Sequence, residues 1–320
     1  MSQLEDRAGL ARSGLVLALL SAGFLGASGP FGKALITAGM SPVQAVWVRI
    51  AGSALVLVPV VVLLGRASWD VVRRNLPALV LYGLLAVAGV QGFYFLAVSR
   101  IPVGVALLLE YLAPVLIVLW VRFVRRSPVP RSAAWGAAAV VIGLACVVQI
   151  WAGLRLDVVG LSAGLAAAVC QASFFLLSDR LSAAVDPLTM FACGTTVAAV
   201  ALAPFARPWS ADWSILWGST MVAGHGVWTP LVVLWVVVVS TVLAYTIGIL
   251  AIRRLSAPVA GVIASTEVLF AVLIAWIALG ETLTLIQVVG GAVLLAGAFV
   301  AQRSVPSTQP EVKRPAATVG

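Results

Sequence analysis

Two glutamates, Glu110 and Glu267, stand in sequence otherwise fit for lipid: LLLEYLAPVLIVLW runs from Leu107 to Trp120 and STEVLFAVLIAWI from Ser265 to Ile277. A charged carboxylate at the centre of a membrane helix costs on the order of 3 kcal/mol. Protonating an ordinary glutamate at pH 7 costs about 3.7 kcal/mol. The two penalties nearly balance, so access of water or of a cationic amine can switch such a group between its two states. That is the chemistry of proton coupling. The competing reading is a pair of neutral acids hydrogen-bonded to neighbouring helices.

Two cations lie in apolar sequence away from the basic loops. Arg49 is suited to pair with a carboxylate of the protein or of a substrate, and Lys33 either does the same or snorkels to an interface. Gln91, Tyr94, Gln171 and Tyr245 are polar groups in apolar runs, available as cavity lining or as interhelical hydrogen bonds. The glycines of GFLGASG, 23 to 29, follow no strand, so they read as close helix packing and not as a nucleotide loop. The sole histidine, His225, has no nucleophile or metal-ligand spacing around it, which argues against an enzyme and against a cofactor or metal. Cys146, Cys170 and Cys193 all sit in apolar runs and read as small buried hydrophobes.

The elements that must position these groups follow from composition. Of 320 residues 62% are hydrophobic and 10% charged, too oily for a soluble α/β domain. The apolar runs lack the two-residue alternation of barrel strands, so an all-α polytopic membrane protein is expected. At ~20 residues per crossing, ten spans are predicted at 14–36, 43–64, 77–99, 102–123, 133–151, 158–180, 187–205, 230–252, 258–279 and 284–302. Pro42, Pro77, Pro102, Pro187, Pro230 and Pro258 mark helix starts, where a missing N–H costs little. Glu110 and Glu267 then lie roughly 12 to 14 Å deep in a ~30 Å core, near midplane.

With a cytoplasmic N-terminus, fifteen lysines and arginines fall on the inner side and three, Arg100, Arg155 and Arg207, on the outer. This bias predicts cytoplasmic termini in a cytoplasmic membrane. The +9 net charge is spread over short loops and forms no aromatic-interleaved patch, so nucleic acid is not an expected partner. The tryptophan-rich segment 209–228 suits an outer interfacial helix or loop, with a substrate lid as an alternative. Residues 1–13 read as a cytoplasmic tail and 303–320 as a disordered one.

Laying IPVGVALLLEYLAPVLIVLW over PVAGVIASTEVLFAVLIAWI matches Gly104 with Gly261, Glu110 with Glu267 and Leu112 with Leu269. The chain is read as a duplication, 14–151 and 152–302. Five spans per copy would set the second upside down, the inverted-repeat construction of secondary transporters.

Several pieces carry a further resemblance: Lys33 followed by Arg49, LYG at 81–83, YFLAVSRIPVGVALLLEYLAP at 94–114, LAYTIGILAIRRL at 243–255, GVIASTE at 261–267 and LGETLTLIQ at 279–287. On these the chain resembles the EamA family of the drug/metabolite transporter superfamily, nearest its threonine/homoserine exporter branch. The resemblance implies ten helices, export of small metabolites and coupling to the proton gradient. It implies a central cavity built from Lys33, Arg49, Tyr94, Glu110, Tyr245 and Glu267. Val268 and Gln171 depart from the family pattern, which has proline and tryptophan there, and Glu281 reads as a structural cap.

The expected function is export of small amphipathic metabolites, amino acids first, by proton antiport. The expected partners are a small-molecule substrate and the lipid bilayer, and a homodimer is left open. The alternatives are export of another small amphipathic metabolite or a drug, a non-transporting scaffold and a passive channel; the paired midplane acids favour export, since a scaffold gains nothing from them.

Overall fold

The computed structural model describes residues 2–66, 68–124, 126, 128, 130–149, 157–254 and 266–304. The first part of the ninth expected span with Pro258, Arg155 of the expected outer loop, and the tail from 305 onward lie outside these.

The chain is a bundle of apolar helices. α1 (Ser2–Thr37) and α2 (Pro42–Leu63) are followed by a six-residue helix, α3 (Trp69–Arg74). α4 joins Leu76–Leu81, a π-helical stretch Tyr82–Gly89, and Val90–Val98. α5 is broken into Val103–Glu110 and Ala113–Phe123, and α6 (Arg131–Val148), α7 (Val158–Leu181) and α8 (Pro187–Ala206) follow. α9 repeats the build of α4, with Thr229–Leu234, a π-helical stretch Trp235–Leu243, and Ala244–Arg254. α10 (Thr266–Leu279) and α11 (Leu285–Ser304) end the bundle.

Eight of the helical segments are long and apolar enough to cross a membrane, and Thr266–Leu279 and Leu285–Ala301 are shorter apolar helices. The ends of the eight fall within a few residues of those expected, as Pro187–Ala206 does for 187–205. Helix α1 extends beyond its apolar span, Ser13–Thr37, back to Ser2. The outward faces stay apolar, with Leu55, Leu63, Phe205 and Leu285 at 75 to 84% exposure, as lipid contact requires.

Packing follows a simple exchange rule. α2 lies on α8 and α6 on α11; α1 packs on α9 and α10, while α7 packs on α4 and α5. Replacing each of these ten helices by its counterpart in the other half of the chain returns the same set of neighbours. The glycine pattern at the start of the chain serves this packing. A Cβ on Gly26 would meet the Glu267 carbonyl oxygen at 2.7 Å, so glycine lets α1 approach the backbone of α10.

The tryptophan-rich segment departs from the expected interfacial helix or loop. It forms a short 3₁₀ turn, Trp213–Trp217, and an antiparallel hairpin, β1 (Ser219–Val222) with β2 (His225–Trp228). Its two-residue loop, Ala223 at φ 52° and Gly224 at φ 75°, has the left-handed pair of a type I′ turn. The Ala223 N–H donates to the Ala278 carbonyl at 2.8 Å, Trp213 packs on Trp47, and Ile215 meets Gly39. The hairpin is therefore tied down over the ends of α1, α2 and α10, and Trp209, Trp217 and Trp228 remain more than half exposed.

Candidate functional site

The site is built where helices lose regularity. α5 breaks immediately after Glu110, with Tyr111 and Leu112 in a turn and Pro114 opening the second half. That places Glu110 at the C-terminus of one half-helix. Glu267 lies in the first turn of α10. The two π-helical stretches flank the same region, and Gln91 and Tyr245 each lie in the first turn after one of them. Widened turns of this kind leave carbonyls re-paired and side chains re-aimed, which is why they recur at functional sites.

These elements surround a chamber of about 530 Å³. Seven of the eight side chains expected at the site line it: Arg49, Gln91, Tyr94, Glu110, Gln171, Tyr245 and Glu267. Tyr111, Ser21, Ser28, Phe174 and Phe175 complete much of the wall, and sequence reasoning passed over them because serine and aromatics are ordinary in membrane helices. The chamber sits toward one end of the bundle. It reaches Ala18 on the N-terminal half of α1, Ala251 near the end of α9, and Ala298 and Phe299 on α11, but on α1 it stops at Ser28.

Arg49 is the organising cation. It is 2% exposed; its Nε donates to Thr241 Oγ1 at 2.8 Å and its Nη1 to Gln91 Oε1 at 2.6 Å. Its guanidinium lies 5.7 Å from the centroid of the Phe95 ring. One arginine thus joins the end of one π-helical region to the interior of the other, reaching Gln91 42 residues and Thr241 192 residues along the chain. Its remaining N–H groups have no carboxylate within ion-pairing distance among the described residues. Glu110 and Glu267 likewise make no hydrogen bond or ion pair among the described residues. One cation and two acids therefore face a single chamber without being consumed by one another.

Lys33 stands elsewhere. It does not line the chamber; its Nζ lies 2.6 Å from Glu281 Oε1 and donates also to the Ile101 carbonyl at 3.1 Å. Glu281 Oε2 accepts the Val103 N–H at 2.8 Å. The acid read as a cap is one, but it caps the helix that carries Glu110. Lys33 is five residues beyond Ser28, roughly 7.5 Å farther along α1. Between them Gly29 is pressed against Tyr94 and Val103, and Gly32 against Phe95. The end of the bundle opposite the chamber is closed by these contacts.

A polytopic bundle whose halves pack by exchange around a charged internal chamber is the architecture of a membrane transporter. The sequence matches the EamA-like transporter family twice, over residues 12–149 and 158–302, and the chain belongs to that family. It is a multi-pass membrane protein. Similar proteins include the threonine/homoserine exporter RhtA of Salmonella typhimurium, 30% identical over 247 residues that cover 76% of each chain. RhtA of Escherichia coli K12 is 30% identical over 229 residues, 70% of each chain. An uncharacterized transporter of Archaeoglobus fulgidus is 30% identical over 232 residues, 72% of this chain and 77% of that one. A solved crystal structure shares the fold with a TM-score of 0.57 at 20% identity, covering 92% of this chain and 98% of that one.

Proposed function

We propose that this protein exports small α-amino acids across the cytoplasmic membrane in exchange for protons. The observation that carries the reading is the chamber itself, where Arg49, Glu110 and Glu267 face about 530 Å³ with no ion pair among them. A zwitterion brings both charges into a desolvated space and needs a partner for each. Arg49 takes the carboxylate and a midplane glutamate the ammonium. With Arg49 charged and one acid ionised the chamber is neutral. At the second glutamate either a proton or the substrate ammonium is the local partner, the substrate carboxylate going to Arg49, and competition between proton and ammonium for that glutamate is antiport. The relatives named as threonine/homoserine exporters support the substrate class.

In this reading the bundle is ten spans in two inverted repeats, with both termini cytoplasmic as the distribution of arginines and lysines favours. The chamber then opens inward, and the Lys33–Glu281 pair with the Gly29 and Gly32 contacts closes the outer face. Alternating access requires that closure to break as the inner one forms. Flux of radiolabelled threonine from proteoliposomes, with and without an imposed pH gradient, tests the whole reading. Gradient-driven movement against a concentration difference is expected; flux that only dissipates the difference would indicate a channel, and none would indicate a scaffold.

A further inference from the structure

Behind Arg49 lies a second, far smaller void of about 10 Å³. It shares Arg49, Ala86, Gln91, Phe174 and Tyr245 with the large chamber and so adjoins it at the guanidinium. What it adds is Thr195 and Thr241 on the polar side and Ile50, Val87 and Phe191 on the apolar side. A space of this size holds about one water-sized group.

We propose that this niche is the side-chain subsite of the chamber and selects an amino acid carrying one small hydroxyl. The proposal rests on the reading that Arg49 receives the substrate carboxylate, since a hydroxyl on the adjoining carbons of the same molecule then falls within reach of the niche.

The hydrogen-bond inventory fits a hydroxyl. Thr241 Oγ1 is committed, donating to the Val236 carbonyl at 2.8 Å and accepting from Arg49. Thr195 Oγ1 donates to the Ala192 carbonyl at 2.9 Å, which leaves its lone pairs to accept. Gln91 has its carbonyl oxygen on Arg49 and so keeps its amide N–H groups to donate. A guest hydroxyl would donate to Thr195 and accept from Gln91. The niche cannot readily widen for a larger group, because Phe191 is stacked on Tyr245 at 4.1 Å between centroids and Thr195 is 1% exposed. A methyl would fit the volume but would leave the amide and the Thr195 lone pairs without partners, which is what makes hydroxyl recognition selective.

Threonine and valine are isosteric and differ by hydroxyl against methyl, so they are the probes. In proteoliposomes containing the full chain, the wild type is expected to carry threonine about tenfold better than valine, the ratio one hydrogen bond supports. Thr195→Val should bring the ratio close to one, and Thr195→Ser should retain most of it. Because the readout is a ratio within one preparation, it does not depend on how much variant inserts. Wild-type transport of both amino acids at equal rates overturns the niche and leaves amino-acid export standing, even if no variant folds. An unchanged ratio in Thr195→Val also overturns it, since the selectivity would then arise elsewhere in the chamber. Wild-type transport of neither overturns the proposed function and the niche together.

Discussion

Lys33 Nζ and Glu281 Oε1 lie 2.6 Å apart, joining the far end of α1 to the residue just beyond α10 and, through the Val103 N–H, to the start of the half-helix that ends in Glu110. Both side chains are about one-fifth exposed, so the pair lies between the surface regime, worth under 1 kcal/mol, and the buried one, where removing a partner costs several. We expect loss of Lys33 to weaken closure by about 2 kcal/mol, near thirtyfold in population. A reporter cysteine at Ser28→Cys, in a background freed of native cysteines, should label faster from outside in Lys33→Met. The swap Lys33→Glu with Glu281→Lys should restore closure only in part, since a lysine cannot accept the Val103 N–H. Equal labelling in all of them would show that the glycine contacts alone hold that end of the bundle closed.

Arg49 is predicted to be irreplaceable by lysine. A single ammonium cannot span Gln91 and Thr241 in the planar fork that the guanidinium makes, so Arg49→Lys should leave one of those partners unsatisfied and misdirect the remaining charge. Transport of threonine should fall at least tenfold in both Arg49→Lys and Arg49→Ala, with insertion and monodispersity retained. Near wild-type rates in Arg49→Lys would mean that only a positive charge is needed there.

Much of this architecture is legible in the sequence because the bilayer simplifies the problem. A run of about 20 apolar residues has one use, and a proline at its head marks the start; Pro42 and Pro187 are the first residues of their helices. The acids announce themselves by being costly. Pro114, twelve residues into the span 102–123, does not by itself fix the break in α5, because Pro30 and Pro59 stand inside helices that continue through them. The π-helical stretches leave no such mark: WVVVVSTVL, 235 to 243, differs little from any other apolar span. Lys33 was drawn to the cavity because its true partner, Glu281, is 248 residues away, and burial at a helix end resembles burial at a site when only spacing is known. The hairpin was hidden by its length, four residues per strand between tryptophans that fit an interface equally well.

Asp157 gives a prediction of acid stability. It caps α7, with Oδ1 accepting the Gly160 N–H at 2.7 Å and Oδ2 accepting from Arg100 Nη1 at 3.3 Å. The Gly160 hydrogen bond, and then the Arg100 charge, hold this carboxyl below its ordinary 3.8. A depressed folded-state value means the stabilisation is present above the unfolded value and is lost as pH falls through the folded one. The wild-type melting temperature should therefore exceed that of Asp157→Asn by a margin that is constant from pH 7 to about 5 and shrinks below about 4. A margin that did not change with pH would separate the cap from the charge.

The last prediction concerns the two acids that face the chamber. Glu110→Gln keeps the shape and a hydrogen-bonding carbonyl but cannot give up a proton. If Glu110 is where the proton and the substrate ammonium compete, the variant should still exchange labelled for unlabelled threonine across the membrane, because exchange needs no proton. It should lose efflux driven by a pH gradient, to roughly the level of empty vesicles. Glu267→Gln asks whether the second copy shares the role. Its setting is different, in the first turn of α10 with Val268 buried behind it, whereas Glu110 ends a half-helix at a break. That asymmetry favours Glu110 as the proton carrier and Glu267 as the fixed charge that balances Arg49. Glu267→Gln should then impair exchange as well as gradient-driven efflux, since the chamber would keep its cation with one fewer anion. Full gradient-driven transport in both single variants and in the double variant would show that the carboxylates serve only the packing of the bundle.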